Sequence, residues 1–474
     1  MDRPAARHAL EATRRHFLQG CGLGLGALAF RSLLAREAGL PAPSGRARHI
    51  IYLHMSGAPP QHDTFDCKPK LQELNGQLCP KEFLENRRLA FIKGHPTLLG
   101  SPHSFRPMGR EGLLVSELLP HFESIVDRVT VVRSAWTDQF NHAPAEMLLY
   151  TGRTLPGYAS LGSWISWGLG SLNDNLPAFV VLVSGESDPT GGKSLWSAGF
   201  LPSEHQGVRF RSQGEPVLFV SNPDGMPPEV RRRSLDALRD LNEAEAAATG
   251  DPETRARIEQ YELAWRMQST VPEVTDLSRE PQEILDEYGA VPGQASLAAN
   301  CLLARRLVEQ GVRYVQLYDW GWDIHGTGPG DDLVNAFPKK CAQMDRPVAA
   351  LVRDLDRRGL LDETLVIWGG EFGRTSMNEK RNGSTYLGRD HHPDCFTIWL
   401  AGAGIHRGRV YGETDELGWS IVSEDEKLGI RDLQATILHL AGLDPFTTRY
   451  PFQGLEQRLI GPAEGPRIAT ELFS

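Results

Sequence analysis

Residues 362–402 read DETLVIWGGEFGRTSMNEKRNGSTYLGRDHHPDCFTIWLAG, a strand, a polar crossing and a second strand. Leu365 to Trp368 and Cys395 to Leu400 are apolar and rich in residues that suit a pleated, buried segment. Between them lie Glu371, Arg374, Asp390, His391 and His392. An acid just beyond one buried strand and a histidine pair just before the next converge at one end of a sheet. Carboxylate with imidazole is the donor chemistry of a divalent metal site. The plainer reading is a solvated loop with ordinary surface charge. Against it stand further segments that offer matching groups.

The first is Arg48-His49-Ile50-Ile51-Tyr52-Leu53-His54-Met55, a strand broken by Ser56-Gly57-Ala58-Pro59-Pro60 and followed by Asp63 and Asp66. Open α/β sheets place function beyond the carboxyl ends of their strands, so Asp63 is a candidate metal ligand and Asp66 reads as a turn residue. The second is the strand Arg128–Ser134, which leads through Asn141 and His142 into a helix opened by Pro144 and closed at Gly152. Asn141 and His142 therefore sit at a helix N-terminus, where free N–H groups and the helix dipole favour anions. The third is Val312–Tyr318, which opens into Asp319-Trp320-Gly321-Trp322-Asp323-Ile324-His325. On an extended segment Asp323 and His325 point to one side and form a metal pair. Leu176–Val183 is another buried strand.

Strands alternate with helices throughout, which predicts a layered, largely parallel α/β sheet flanked by helices. Helices are expected around 114–127, over Gln294–Gln310, over Leu333–Arg358 with interruption near Pro338 and Pro347, and over Ile430–Ala441. Residues 184–225 read as loops with an edge hairpin, Gly408 to Glu416 as a hairpin with an acidic tip, and 227–290 as a charged helical insert.

The chain has 474 residues and a net charge of −10, which argues against non-specific nucleic-acid binding. Its N-terminus carries Arg14-Arg15 ahead of a short glycine-rich apolar run, Gly22–Phe30, the pattern of a twin-arginine export signal over 1–41. The run is too short for a membrane span. The expected partners are thus the twin-arginine machinery and an anionic small-molecule or polysaccharide substrate, with no nucleic acid and no stable transmembrane segment. The expected location is periplasmic or extracellular, with residues 42–474 forming the mature domain. Of the six cysteines, Cys21 belongs to the leader, and the other five at irregular spacing make neither a disulfide framework nor a zinc ribbon. Cys67 and Cys79 are the one pair placed to bond in an oxidising compartment.

His142-Ala-Pro-Ala-Glu-Met-Leu-Leu-Tyr-Thr-Gly resembles the nucleophile segment of sulfatases, C/S-x-P-S-R-A-A-L-L-T-G. The strand ending in Glu371-Phe372-Gly373 resembles the acid-ending strand of sulfatases and alkaline phosphatases. Asp323-x-His325 is similar to the phosphatase Asp/His metal pair, His391/His392 to the late histidine, and Asp63 to the early acid. With the phrases HDTFDCKP, GEFGRT, GRDHHP and VYGETDE, the mature chain resembles a twin-arginine-exported domain-of-unknown-function family distantly related to the sulfatase/alkaline phosphatase superfamily. The resemblance implies an alkaline-phosphatase-like fold, a divalent metal (Zn, Ca, Mg or Mn) and hydrolysis of sulfate or phosphate esters.

The departures from that pattern are specific. His142 stands at the nucleophile position, Glu146 where the segment has arginine, and Phe372 where the acid pair has its second ligand. Three roles follow for His142: a nucleophile forming a phospho-imidazole, a ligand to a metal that activates water, or a relic in a site that only binds. The expected metal ligands are Asp323, His325 and His392, with Asp63, Glu371 and His142 completing the site or holding a second ion. Arg374 would neutralise a substrate oxygen, and His391 would act as general acid. The rival from another class is a non-catalytic exported binding protein for sulfated or phosphorylated polymers.

Overall fold

A computed structural model describes residues 45–474 apart from 86–88, 186, 212–213, 219–220, 223–224 and 462–464. The export signal expected over 1–41 lies outside the described residues. The strands are β1 (His49–Ser56), β2 (Phe105–Met108), β3 (Leu113–Ser116), β4 (Val129–Trp136), β5 (Phe179–Ser184), β6 (Val208–Phe210), β7 (Tyr314–Trp320), β8 (Thr364–Gly369), β9 (Gly373–Arg374), β10 (His391–His392), β11 (Phe396–Ala401), β12 (Arg409–Tyr411), β13 (Leu428–Gly429), β14 (Tyr450–Phe452) and β15 (Leu455–Gln457).

The central sheet runs β12-β4-β11-β8-β1-β7-β5-β6, with β13 also on β4. Every pairing is parallel except those of β11, which runs antiparallel to both β4 and β8. The predicted layered, largely parallel sheet is therefore the observed one. β1 lies at its centre, completely buried, and strand alternation divides its side chains. Ile51, Leu53 and Met55 face a core shared with helices Leu297–Glu309 and Phe337–Arg357. Ile50 and Tyr52 face a second core, shared with helices His142–Thr151, Leu161–Leu169 and Ile430–Ala441.

Local chemistry explains where these helices begin. Ser296 caps Leu297–Glu309 by accepting the Ala299 N–H at 3.0 Å. Pro338 sits in the first turn of Phe337–Arg357, where no N–H is required, so the helix starts there rather than at Leu333. Pro347 is carried inside the helix. Over 227–290 the structure has helices Pro228–Thr249, Pro252–Thr275 and Gln282–Tyr288. No helix among the described residues is long and apolar enough to cross a membrane.

Four local expectations are corrected. The stretch around 114–127 is not a helix: β3 pairs with β2, its Leu113 and Val115 are buried while Leu114 faces out, and Pro120 follows. That period of two is a strand's, and proline blocks continuation as a regular helix. β6 and β12 do not form hairpins. Each extends the sheet in parallel, β6 on β5 and β12 on β4, because those free edges offer unpaired backbone groups in register. Cys67 and Cys79 are both free thiols.

The carboxyl ends of β1, β4, β7 and β8 lie on one edge of the sheet, and antiparallel β11 begins there. Chain leaving four strands and entering a fifth is thus gathered at a single place.

Candidate metal centre

Three histidines and one aspartate meet at that edge. His142 opens the helix after β4, Asp323 and His325 follow β7, and His391 lies on β10. One ligand atom from each lies within 4.8 Å of the others. The three Nε2 atoms all face Asp323 Oδ1, at 3.3 Å from His142, 2.8 Å from His325 and 3.3 Å from His391.

The opposite nitrogen of each ring is committed. His142 Nδ1–H donates to Glu371 Oε1 at 2.5 Å. His325 Nδ1–H donates to Glu379 Oε2, and His391 Nδ1–H to the Phe140 carbonyl at 2.7 Å. A carbonyl has no proton to give, and ionised carboxylates only accept, so Nδ1 is the protonated nitrogen in His142 and His391; at His325 the Glu379 carboxylate favours the same tautomer, against the Arg381 Nη2 that lies 3.0 Å from that nitrogen. A neutral imidazole so held presents its Nε2 lone pair to the shared point. Lone pairs aimed at a carboxylate oxygen repel it unless a proton or a cation lies between. Such a group could hold a divalent cation, with the outer carboxylates fixing the ligand tautomer.

Without an ion, the cluster draws positive charge onto His142 and keeps His391 neutral. Burial lowers the His142 imidazole, but its contacts with Asp323 and Glu371 outweigh burial and raise it to about 9. For His391, burial together with Arg374 and His142 prevails over the pull of Asp323 and lowers it to about 4. Burial raises the Asp323 carboxyl, yet Arg374 and the three imidazoles hold it far below the usual carboxylate range. Glu371 is likewise held far below that range, because His142 and His54 outweigh its burial. The His142 Nε2 atom is buried without a hydrogen-bond partner.

A second group adjoins the first through Glu371. It consists of His54 on β1, Glu146 on the His142–Thr151 helix, and Glu371, all completely buried. His54 Nε2 lies 3.3 Å from Glu371 Oε2 and 3.6 Å from Glu146 Oε1. Burial lowers this imidazole too, and the two carboxylates outweigh it and raise it to about 9. Gly57, at the end of β1, donates its N–H to Glu371 Oε1 at 3.0 Å. It has φ +106°, and a Cβ there would lie 2.5 Å from the Asp323 nitrogen, so only glycine lets the two site loops approach.

The family model described as "Protein of unknown function (DUF1501)" matches residues 47–471. The chain belongs to the DUF1501 family. No curated protein matches it significantly. Solved structures with a similar course include the PsFucS1 sulfatase from Pseudoalteromonas sp. (15% identity, 94% of this chain, 76% of that one, TM-score 0.37). Another is the lipoteichoic acid synthase LtaP from Listeria monocytogenes (8% identity, 89% and 76%, TM-score 0.38). A third is a protein in the alkaline phosphatase superfamily from Vibrio parahaemolyticus (9% identity, 86% and 70%, TM-score 0.35). These are likenesses of chain course at low similarity, and no residue's role follows from them.

In this DUF1501 protein the expected residues divide clearly. His142, Asp323 and His325 come together, with Glu371 directly behind His142. His391, expected as an acid, takes the position expected for His392. The two-residue ladder of β10 with β9 decides this, because neighbouring residues on a strand face opposite sides. His391 faces the cluster. His392 stacks on Trp419, with ring centroids 4.1 Å apart, and bonds the Trp419 carbonyl at 2.7 Å.

Asp63 also lies elsewhere. It makes a two-point ion pair with Arg389, at 2.7 and 3.2 Å, with both side chains completely buried. Arg374 is buried and engages the carbonyls of Ala58, Arg389 and Gly57 as well as Asp323, so its fork is filled by the protein rather than free for substrate. Asn141 is the exposed residue before the helix. Its carbonyl accepts the Ala145 N–H at 3.0 Å, but its side chain makes no cap.

Three side chains of these two groups and their surroundings carried no strong sequence signal. Glu379 is one residue of a long polar crossing, and Glu146 read only as a departure from the sulfatase pattern. His54 lay within a strand that otherwise reads as core. The available hint was Tyr52-x-His54-x-Ser56, polar groups at every second position of a buried strand.

Proposed function

We propose that this chain is an exported, metal-dependent hydrolase of phosphate or sulfate esters, acting in the periplasm or outside the cell. His142, His325 and His391 would hold the ion through Nε2, with the Asp323 carboxylate. The observation that carries the reading is the set of three imidazoles whose Nδ1 atoms are engaged while all three Nε2 atoms face one carboxylate oxygen. A donor set of three imidazoles and one carboxylate suits zinc or manganese better than calcium or magnesium, which favour oxygen. When bound, such an ion supplies Lewis acidity toward an ester oxygen and lowers the pKa of water.

The chain's own groups do the rest. Glu371 and Glu379 fix two of the rings, and Arg374 pins Asp323. With Nδ1 held by Glu371 and Nε2 aimed into the cluster, His142 would serve as a ligand rather than as a covalent nucleophile. Asp323 keeps 28% of its side chain exposed, which opens this face to solvent. Phe91 packs on His325 and His391, with centroids 5.4 Å from each ring, and the Arg381 guanidinium lies 4.1 Å from the centroid of the Phe91 ring. Beyond Phe91 lies a cavity of ≈ 380 Å³ with Lys93, Lys380 and Arg381 on its walls. Its positive lining favours an anionic substrate.

The test is turnover by purified protein loaded with zinc or manganese on a broad panel of phosphate and sulfate esters. Activity that disappears in His325→Ala supports the proposal. Metal-loaded wild type that turns over none of the panel overturns it and leaves the reading of a non-catalytic binder of anionic polymers.

A further inference from the structure

The buried group of His54, Glu146 and Glu371 has chemistry that the first centre does not use. Each member is held so that one particular atom is left over. Glu146 Oε2 accepts the Thr190 hydroxyl and the Gly191 N–H, both at 2.7 Å, leaving Oε1. Glu371 Oε1 accepts from His142 and Gly57, leaving Oε2. His54 turns Nε2 toward both. The three leftover atoms are fully buried and none has a hydrogen-bond partner. The hydroxyls of Tyr52 and Tyr150, whose rings flank His54, are unpartnered as well. Leaving polar atoms unpaired in the interior is costly, so a cluster of them indicates a missing occupant.

We infer that His54, Glu146 and Glu371 form a second, fully enclosed cation site for a zinc-class divalent ion, and that Glu371 bridges it to the first centre. The spacing fits. Two donors about 2.1 Å from a tetrahedral ion lie about 3.4 Å apart, and His54 Nε2 is 3.3 Å and 3.6 Å from the two carboxylate oxygens. The alternative occupant is a proton on His54. It neutralises one charge but leaves the Nδ1–H of the imidazolium without an acceptor, since Nδ1 is also unpartnered. A divalent ion instead engages all three leftover atoms at once. The imidazole and the absence of solvent favour zinc or manganese over calcium. Enclosure also makes the ion slow to leave, in contrast to the first centre, where Asp323 reaches solvent.

This inference rests on the buried triad and does not require ester hydrolysis. The experiment is metal stoichiometry by elemental analysis of zinc-loaded, desalted full-length protein, before and after dialysis against EDTA. Wild type is expected to hold two equivalents per chain and to keep one through dialysis. Glu146→Gln is expected to hold one and to keep none. Asp323→Asn is expected to lose the exchangeable equivalent and keep the resistant one. A wild-type protein with no more than one equivalent overturns the site, and this measurement stands even where a variant does not fold. A Glu146→Gln protein with the wild-type stoichiometry overturns it too. Two equivalents without ester turnover would contradict the hydrolase reading and leave this one standing.

Discussion

Glu379 is the position where an outer group is expected to control the metal most cleanly. Its buried carboxylate accepts His325 Nδ1–H through Oε2 and the Arg381 Nε–H through Oε1 at 2.5 Å. Glu379→Gln keeps the volume but replaces one acceptor oxygen with an NH2 group. Whichever way the amide turns, either His325 or Arg381 then faces a donor. The imidazole also loses the negative charge that makes its Nε2 a stronger donor. Removing such a partner typically costs 10–100-fold in metal affinity, about 1.4–2.7 kcal/mol. Glu379→Ala should lie at the upper end, because the ring also loses its orientation. The assay is competition for zinc against a chromogenic chelator at neutral pH, with thermal unfolding run beside it to show that the variants are folded. Folded Glu379→Ala protein with an affinity within twofold of wild type would refute the claim that this carboxylate positions a ligand.

Other expectations follow from the same geometry. His391→Ala should abolish zinc binding at the exposed centre, whereas His392→Ala should lower thermal stability through the lost Trp419 stack and leave zinc binding intact; equal metal loss in both would contradict the register of β10. Asp63→Ala strands the buried Arg389 guanidinium and should cost about 3–5 kcal/mol in chemical denaturation, with no change in metal content; a loss of metal without a loss of stability would restore Asp63 as a ligand. Burial raises the Asp345 carboxyl to about 6, against the opposing hydrogen bonds from the His121 and Phe122 backbone. An acid raised in the folded state gives its full stabilising contribution below the unfolded value near 4, and loses it as pH rises through about 6. The stability of Asp345→Asn relative to wild type should therefore improve by roughly 1–3 kcal/mol between pH 4 and pH 8, and an unchanged difference across that range would show that the carboxyl is not shifted.

How far the sequence carried the reading can be judged residue by residue. Buried strands followed by acids and histidines are visible as pattern, and that pattern alone places His142, Asp323, His325 and Glu371 at one sheet edge. Which member of His391-His392 faces that edge was not visible, because a two-residue ladder with Gly373-Arg374 sets it. Asp63 looked like a ligand because it follows the first strand. Its partner, Arg389, lies 326 positions away and carries no local mark. Arg374 was recognisable as a site residue, but whether its fork meets substrate or backbone depends on burial, which composition does not reveal. Glu379 is one acid within a polar crossing, and its role exists only through the ring of His325.

The most direct measurement is an anomalous difference map at the zinc edge from crystals of the zinc-loaded protein. The account predicts a peak within bonding distance of His142 Nε2, His325 Nε2, His391 Nε2 and an Asp323 carboxylate oxygen. Zinc-loaded crystals with no peak among these four residues, or with the metal at Asp63 or His392 instead, would contradict it.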